Sequence, residues 1–425
     1  MEQQQPHQQE QGPACSRPVA LTFIMLMETP FFFFPFSIMT LTYIQLLFDL
    51  DTAYLDARRH KREKKYQVEF EANLNENLSQ LAQELYTRAY RPAPPTCFVI
   101  EDPKKREIFA ADFRDRIVHH LYYNYTHELF ERNFIADSYS CIKHRGTHYG
   151  IARLESHIRK ESLNYTEKAY ILKMDISGYF MHINRQKLLE ITERRLEKMR
   201  YHKIANGSPE TWNDRLDFDF LSYLNRIIIL PDPTENCRIV GKKSDWNTLP
   251  DRRSLFYSES GCGLPIGNLT SQLFSNLYLG EFDDFMKRIL KVKRYGRYVD
   301  DFYMVSADEE YLQCLVPDIK NFLKFELGLS INDQKTVLTD SDTGIEFIGA
   351  YLKPHRRYIS RQSLRRITKK LPRVLARRTP NQLNSYLGIL SHYCAYHLTK
   401  SLFYPIHGNG GYFTKWMKKW VEYPC

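Results

Sequence analysis

The 425-residue chain is 43% hydrophobic and 26% charged, which excludes wholesale disorder, and its 18 glycines and 20 prolines exclude a collagen-like or linker-like polymer. Sixty Lys and Arg against fifty Asp and Glu leave a formal charge of +10, the excess a polyanion-binding cleft needs, although a merely basic enzyme would carry it too. Of the eight cysteines no two are nearer than Cys237 and Cys262, which argues against a clustered zinc site or a disulfide scaffold and for reduced thiols in a cytoplasmic protein.

Residues 1–18 are Gln-rich, and residues 19–40 are apolar but carry Glu28, Pro30 and Pro35, a poor match to a membrane helix or a signal peptide. The expectation is a leader over 1–38 outside the working fold, with Met39 as the natural start and no obligatory membrane. Residues 39–95 read as a helical extension, with Leu74, Leu78, Leu81 and Leu85 at steps of three or four. The basic run from Arg58 to Lys65 reads as a solvated helix face or a nucleic-acid or partner contact. Residues 96–100 (TCFVI) predict a strand, 151–163 a helix, 169–176 a strand ending on an acid, and 183–200 an amphipathic helix. Residues 201–262 are polar, rich in Pro, Asn and Gly, and read as an irregular insertion. A helix is expected over 268–290, a β-hairpin over 294–306 around Asp300–Asp301, a helix over 311–327 and a short strand over 347–352. In the last 65 residues, eight of the eighteen positions from 361 to 378 are Lys or Arg. Arg361, Arg365, Lys369, Arg373 and Arg377 fall at steps of four, a stripe suited to a duplex backbone; Pro372 is expected to break that helix. A second helix is expected to open with Thr379 as cap and Pro380 at its first position, with the stripe Leu383, Leu387, Leu390, Cys394 and Leu398.

Three acids carry the chemistry. Asp175 ends an apolar strand, where a carboxylate is costly unless it meets solvent or a cation. Asp300–Asp301 alone would be an ordinary turn. Carboxylates brought together from separate strands repel one another unless a divalent cation lies between them, and Mg²⁺ is held by one or two carboxylates plus substrate phosphates.

YVDD at 298–301 after a strand resembles motif C of reverse transcriptases, and DISGYF at 175–180 their motif A. GLPIGNLTSQLFSNLYL at 263–279 resembles motif B, GLSINDQKT at 328–336 motif D and EFIGAYL at 346–352 motif E, the primer grip. KKREIFAADFRDRIVHH (104–120) and DSYSCIKHRGTHYG (137–150) resemble the finger motifs. Five palm motifs in this order are far more specific than a lone YxDD, and the resemblance covers about residues 90–400. It implies an α/β (α+β) right hand: fingers and palm over 96–355, the palm a small antiparallel sheet backed by helices, and a helical thumb with a basic tail over 356–425. It implies two Mg²⁺ ions held by Asp175, Asp300, Asp301 and the Ile176 carbonyl, with Lys335 as proton donor to pyrophosphate. Phe180 would face the ribose 2′ position, and Ile266, Gly267 and Gln272 the nascent pair. Lys104, Lys105, Arg106 and Arg145 are candidate triphosphate contacts with surface solvation as the rival, and Arg114 is a second candidate at the nascent pair. Tyr179 reads as core, His119 and His120 as packing or capping residues, and the tail YFTKWMKKW (412–420) as an RNA-stacking segment or as core.

Ile266 stands where retroviral and intron enzymes typically carry Gln, and Gln272 follows Ser271 where intron enzymes carry Pro. IGNLTSQ, the insertion at 231–267 and NSYLGILSHY (384–393) resemble the enzymes of diversity-generating retroelements. That family implies a bacterial or phage-encoded enzyme copying a template-repeat RNA into cDNA from primer and deoxynucleoside triphosphates. It also implies frequent errors at adenines and a small, basic, pentameric accessory protein. A Gln side chain could donate a hydrogen bond to the nucleotide or template and Ile cannot, so polar discrimination against a mispair would weaken. The alternatives are another bacterial reverse transcriptase (phage-defence, retron or group II intron type) and a non-catalytic RNA-binding scaffold, against which the three acids and Lys335 argue.

Overall fold

The computed structural model describes residues 40–59, 64–102, 104–377 and 380–407. Three N-terminal helices, α1 (Tyr43–Arg58), α2 (Lys65–Glu71) and α3 (Leu74–Tyr86), lead into the strands β1 (Thr96–Ile100) and β2 (Arg106–Ala110) and the helices α4 (Phe113–Glu131) and α5 (Thr147–Glu161). β3 (Tyr170–Asp175) is followed by the single turn α6 (Tyr179–His182), then α7 (Arg185–Arg200), α8 (Phe218–Ile229) and β4 (Arg238–Ile239). Next come α9 (Leu269–Asp284), extended by a π-turn over Phe285–Ile289, β5 (Arg294–Tyr298), β6 (Asp301–Ser306) and α10 (Glu309–Leu327). The chain continues through β7 (Val337–Asp340), β8 (Ile345–Phe347), β9 (Ala350–Lys353) and β10 (Arg356–Ile359) to α11 (Arg361–Ala376), α12 (Pro380–Leu390) and α13 (Tyr396–His407).

Short polar side chains set the helix starts. Asp112 accepts from Arg114 N (3.1 Å), Asn184 from Lys187 N (2.8 Å), Asp217 from Phe220 N (2.9 Å) and Asp308 from Tyr311 N (3.0 Å), each cap contributing about 1 kcal/mol.

The palm is a four-stranded antiparallel sheet in the order β5-β6-β3-β7. Its strands alternate between two cores, as a side-chain period of two requires when both faces are covered. Phe302 and Met304 of β6, with Leu172 and Met174 of β3, enter the large core under α4, α7, α9 and α10. Tyr303, Val305 and Ile171 enter a second core with Ile151, Leu154 and Ile158 of α5 and Phe347 and Leu352 of the β8–β9 hairpin. The expected right-hand α+β arrangement is the one found. The N-terminal helices pack into the large core rather than standing apart, with Leu46, Leu50, Leu81 and Leu85 beside Ile117 and Leu121. A third core, Ile359, Ile367, Leu371, Leu387, Leu390 and Phe403, holds the thumb helices together.

Four local expectations are corrected. The insertion at 201–262 is not irregular throughout: FDFLSYLNRIII forms α8, whose Phe218, Leu221, Leu224, Asn225 and Ile229 are buried against α7. Residues 347–352 are not one strand but the facing ends of β8 and β9. Ile348 (φ 39°) and Gly349 (φ 92°) make a two-residue turn that pairs Phe347 with Ala350. Pro372 does not break α11, because Ile367, Leu371 and Val374 keep one buried face across it while the proline is exposed. The stripe from Leu383 to Leu398 spans two helices, since α12 ends at Leu390 and α13 begins at Tyr396. The leader 1–38 with Met39, residues 60–63 of the basic run, Thr379 and the tail at 412–420 lie outside the described residues. At the ends of that run, Arg58 pairs with Glu71 at 2.9 Å and Lys65 with Glu69 at 3.5 Å. No helix among the described residues is long and apolar enough to cross a membrane.

Candidate active site

The register of the palm sheet brings the three acids together. β3 pairs with β6 so that Asp175 lies opposite Asp301, and β5 pairs with β6 so that Tyr298 lies opposite Asp301, leaving Val299–Asp300 as the turn. The Ile176 N–H donates to the Asp300 carbonyl at 3.2 Å, tying the end of β3 to that turn. Beyond Asp175 the chain reverses at Gly178 (φ 54°), where a Cβ would lie 2.9 Å from the Arg252 carbonyl of the insertion, so glycine alone fits.

The electrostatics are those of crowded carboxylates. Burial first, then the charges of Asp301 and Asp175, push the Asp300 carboxyl up to about 6. Burial raises Asp301 as well, with Lys173 opposing and Asp175 adding to the rise. Two ammonium groups answer this charge. Lys335 Nζ donates to both oxygens of Asp175 at 2.7 Å, and Lys173 Nζ lies 3.9 Å from Asp301 Oδ1 and donates to the Glu346 carbonyl at 3.1 Å.

Divalent magnesium fits this donor set: hard carboxylate oxygens from two strands, mutually repelling, with lysine ammonium drawn to them as counter-charge. In this conformation Asp175 is turned onto Lys335 and Asp301 towards Lys173. Among the described residues no three His, Cys, Asp or Glu side chains close on one ion. Lys335, expected as a proton donor to pyrophosphate, is thus found as the cation partner of Asp175.

An apolar cluster holds the segments that resemble motifs A and B. Phe180 and Ile266 pack with Cys97, Phe109, Met181 and Leu255, and with Cys237 and Trp246 of the insertion. The Phe180 carbonyl accepts from Leu264 N at 2.8 Å and the Ile266 carbonyl from Phe109 N at 2.9 Å, so the segments resembling motifs A and B and the finger strand are stitched together. Gly267 (φ 135°) allows the close approach, because a Cβ there would lie 2.9 Å from Ile108 Cγ2. Gln272 is exposed on α9. Tyr179 is core, as expected, its hydroxyl donating to the Ser275 carbonyl at 2.5 Å.

Among the finger bases, Lys104 and Arg106 are exposed, and Lys104 acts electrostatically on Asp301. Lys105 donates to Thr248 Oγ1 of the insertion at 2.7 Å. Two residues expected to contact the nucleotide, Arg114 and Arg145, make these contacts within the protein. The Arg114 guanidinium pairs with Glu84, donates to the Arg91 carbonyl at 3.3 Å and lies 4.9 Å above the Tyr90 ring. Arg145 donates to the carbonyls of Ile135 (2.6 Å) and Ser138 (3.0 Å), closing its own loop. In the thumb, Arg361, Arg365, Lys369, Arg373 and Arg377 are all exposed along one face of α11 and its C-terminal end.

Two positioning residues, Glu107 and Arg297, escaped the sequence reading. Glu107 is 1% exposed and accepts from Trp246 Nε1 (2.7 Å), Ser254 Oγ (2.9 Å) and Leu255 N (2.7 Å), fastening the insertion to the finger strand β2. His119, read from the sequence as a packing or capping residue, joins α4 to α9: its Nδ1 lies 2.7 Å from Thr270 Oγ1, and burial lowers this imidazole to about 4. Arg297 is fully buried beside Asp283. The available signals were an acid and a base each inside a short strand of apolar neighbours, where a charge needs a partner.

A four-stranded antiparallel palm with paired acids at one end of its two central strands, fingers before it and a helical thumb after it defines a template-directed nucleotidyltransferase. Residues 102–352 match the model of the reverse transcriptase (RNA-dependent DNA polymerase) family, and the chain belongs to that family. Protein YkfC of Escherichia coli (strain K12) is 23% identical over 354 residues, covering 75% of this chain and 81% of that protein. Among solved structures, telomerase from Candida albicans in complex with the TWJ fragment of telomeric RNA is 15% identical with a TM-score of 0.43, over 74% of this chain and 57% of that one. Apo telomerase from Candida tropicalis, truncated from its C-terminal domain, is 14% identical with a TM-score of 0.41, over 65% of this chain and 58% of that one. The chain therefore spans less than two thirds of those telomerase chains.

Proposed function

We propose that this chain copies RNA into DNA by nucleotidyl transfer at Asp175, Asp300 and Asp301, as the polymerase of a diversity-generating retroelement. The observation that carries the polymerase reading is the register that sets Asp175 opposite Asp301 with Asp300 in the adjoining turn. These carboxylates and the Ile176 carbonyl would hold two Mg²⁺ ions. Bound there, the ions supply positive charge to the attacking and leaving oxygens of an in-line displacement. Lys335, whose Nζ is paired with Asp175 in this conformation, would hand a proton to departing pyrophosphate once Asp175 releases it. Phe180 bounds the ribose side of the pocket, Ile266 and Gly267 bound the base pair, and Lys104 and Arg106 face the triphosphate. The exposed α11 stripe tracks the backbone of the template–primer duplex.

The retroelement reading is supported by IGNLTSQ at 266–272, the insertion before it and the thumb segment 384–393. It brings a template-repeat RNA, errors at adenine, a small basic pentameric accessory protein and a bacterial or phage source with cytoplasmic action. Primer extension on RNA with Mg²⁺, comparing wild type with Asp175→Ala and Asp300→Ala, tests the polymerase: both variants should fold and make no cDNA, and substantial synthesis by either refutes these roles. Sequencing cDNA made on the RNA encoded beside this reading frame tests the retroelement: changes concentrated at adenines support it, and uniform fidelity removes it.

A further inference from the structure

We propose that Arg297 is a positioning residue which, through its buried pairing with Asp283, fixes the Val299–Asp300 turn and thereby the placement of the carboxylates at 300 and 301. The inference rests on the reading of those acids as a divalent-cation site.

The starting point is a cost. Arg297 and Asp283 have side-chain exposures of 0% and 2%, and a buried ion pair contributes little net stability compared with well-packed apolar residues. Its geometry suits another role. Nε and Nη2 donate to the two Asp283 oxygens at 2.8 and 2.6 Å, and Tyr295 donates its hydroxyl to the same carboxylate at 2.6 Å. With the fork thus locked onto α9, Nη1 reaches the Val299 carbonyl at 3.1 Å and Asn276 Oδ1 at 3.4 Å, and Nη2 reaches Ser138 Oγ at 3.3 Å.

Val299 is where a restraint is needed. Its φ is 56°, the left-handed region that a β-branched side chain avoids, and such strain persists only where the surroundings over-determine it. The Arg297 main chain is held too: its N–H donates to the Asp137 carbonyl at 2.9 Å and its carbonyl accepts from Tyr139 N at 3.0 Å. Arg297 thus ties together the catalytic turn, α9 and the finger segment 137–139. An apolar pair could fill the same space without setting the turn.

Two variants test this in the full-length chain. Arg297→Lys keeps a charge for Asp283 but loses the fork; Arg297→Met with Asp283→Leu removes both charges and leaves none orphaned. Hydrogen exchange at residues 298–302 and Mn²⁺ binding by isothermal titration are read beside the melting temperature. The double variant should keep a cooperative melt, exchange faster at 298–302, and bind Mn²⁺ about tenfold more weakly, the usual scale for losing a group that orients metal ligands. Arg297→Lys should fall between it and wild type. Wild-type exchange at the turn overturns the proposal, and so does wild-type Mn²⁺ affinity with a loosened turn. If wild type neither binds Mn²⁺ nor extends a primer, the cation reading fails and the link from Arg297 to the carboxylates falls with it, while the exchange data still decide whether Arg297 holds the turn.

Discussion

Lys335 Nζ stands 2.7 Å from each carboxylate oxygen of Asp175, a residue 160 positions away in the chain. The ammonium thus sits where a divalent ion would compete for the same oxygens. Lys335→Met should raise Mn²⁺ affinity of the nucleic-acid-free chain a few-fold, because one rival cation is gone. It should also slow primer extension by about 10²-fold, the scale of a lost general acid. Unchanged extension by the Met variant would exclude Lys335 as the proton donor.

The apolar cluster at Ile266 bears on fidelity. Ile266→Gln gives the pocket a donor that can report a mispair, so errors opposite adenine should fall several-fold while matched synthesis persists; a polar group left unpaired by the wrong partner costs about 1–3 kcal/mol. Counting substitutions in sequenced cDNA decides it, and an equal error rate removes Ile266 from the explanation.

Glu107 gathers three donors in a buried site. Glu107→Ala strands all three and should destabilise the chain by roughly 3 kcal/mol. It should also shift Trp246 emission to the red as the insertion lifts from β2. A denaturant midpoint and emission maximum equal to wild type would show that other contacts hold the insertion.

His157, 2% exposed beneath the palm, gives a pH signature. Burial lowers its imidazole to about 4, with Asp137 opposing and Arg153, Lys287 and Arg294 reinforcing the shift. Nε2 accepts from Arg153 at 3.3 Å, so Nδ1 donates to the Tyr303 hydroxyl at 3.1 Å. The unfolded chain binds a proton near pH 6.5 that the folded chain refuses until about 4. Its stabilising contribution is therefore complete above 6.5 and is lost as pH falls towards 4, by on the order of 3 kcal/mol. His157→Gln should flatten that part of the stability–pH curve; an unaltered slope would show that another group governs it.

The α11 stripe predicts a salt effect. Replacing Arg365 or Lys369 by Ala should weaken duplex binding regardless of sequence and reduce the slope of log affinity against log salt by about 1 for each phosphate no longer neutralised. A slope identical to wild type would place the duplex elsewhere.

Much of this was legible along the chain because it depends on short-range pattern. The strand ending at Asp175, the hairpin at 300–301 and helix α9 announce themselves by period and by turn residues. Pro372 and the 347–352 segment misled because packing and a positive-φ turn decided them, and neither is visible in composition. α8 was passed over because its polar flanks suggested one long loop. The deepest miss was of pairings: nothing in a linear reading says that Glu107 meets Trp246, or that Arg114 is spent on Glu84, since such partners are chosen by the fold.

The insertion is hydrogen-bonded into the molecule rather than appended to it. β4 extends the β1–β2 sheet, Glu107 grips its Trp246 and Leu255, and Arg252 crowds Gly178. Hybrid enzymes that exchange this segment between homologues should therefore work only when residues 107 and 178 travel with it, as a lock moved to another door must bring its keyhole.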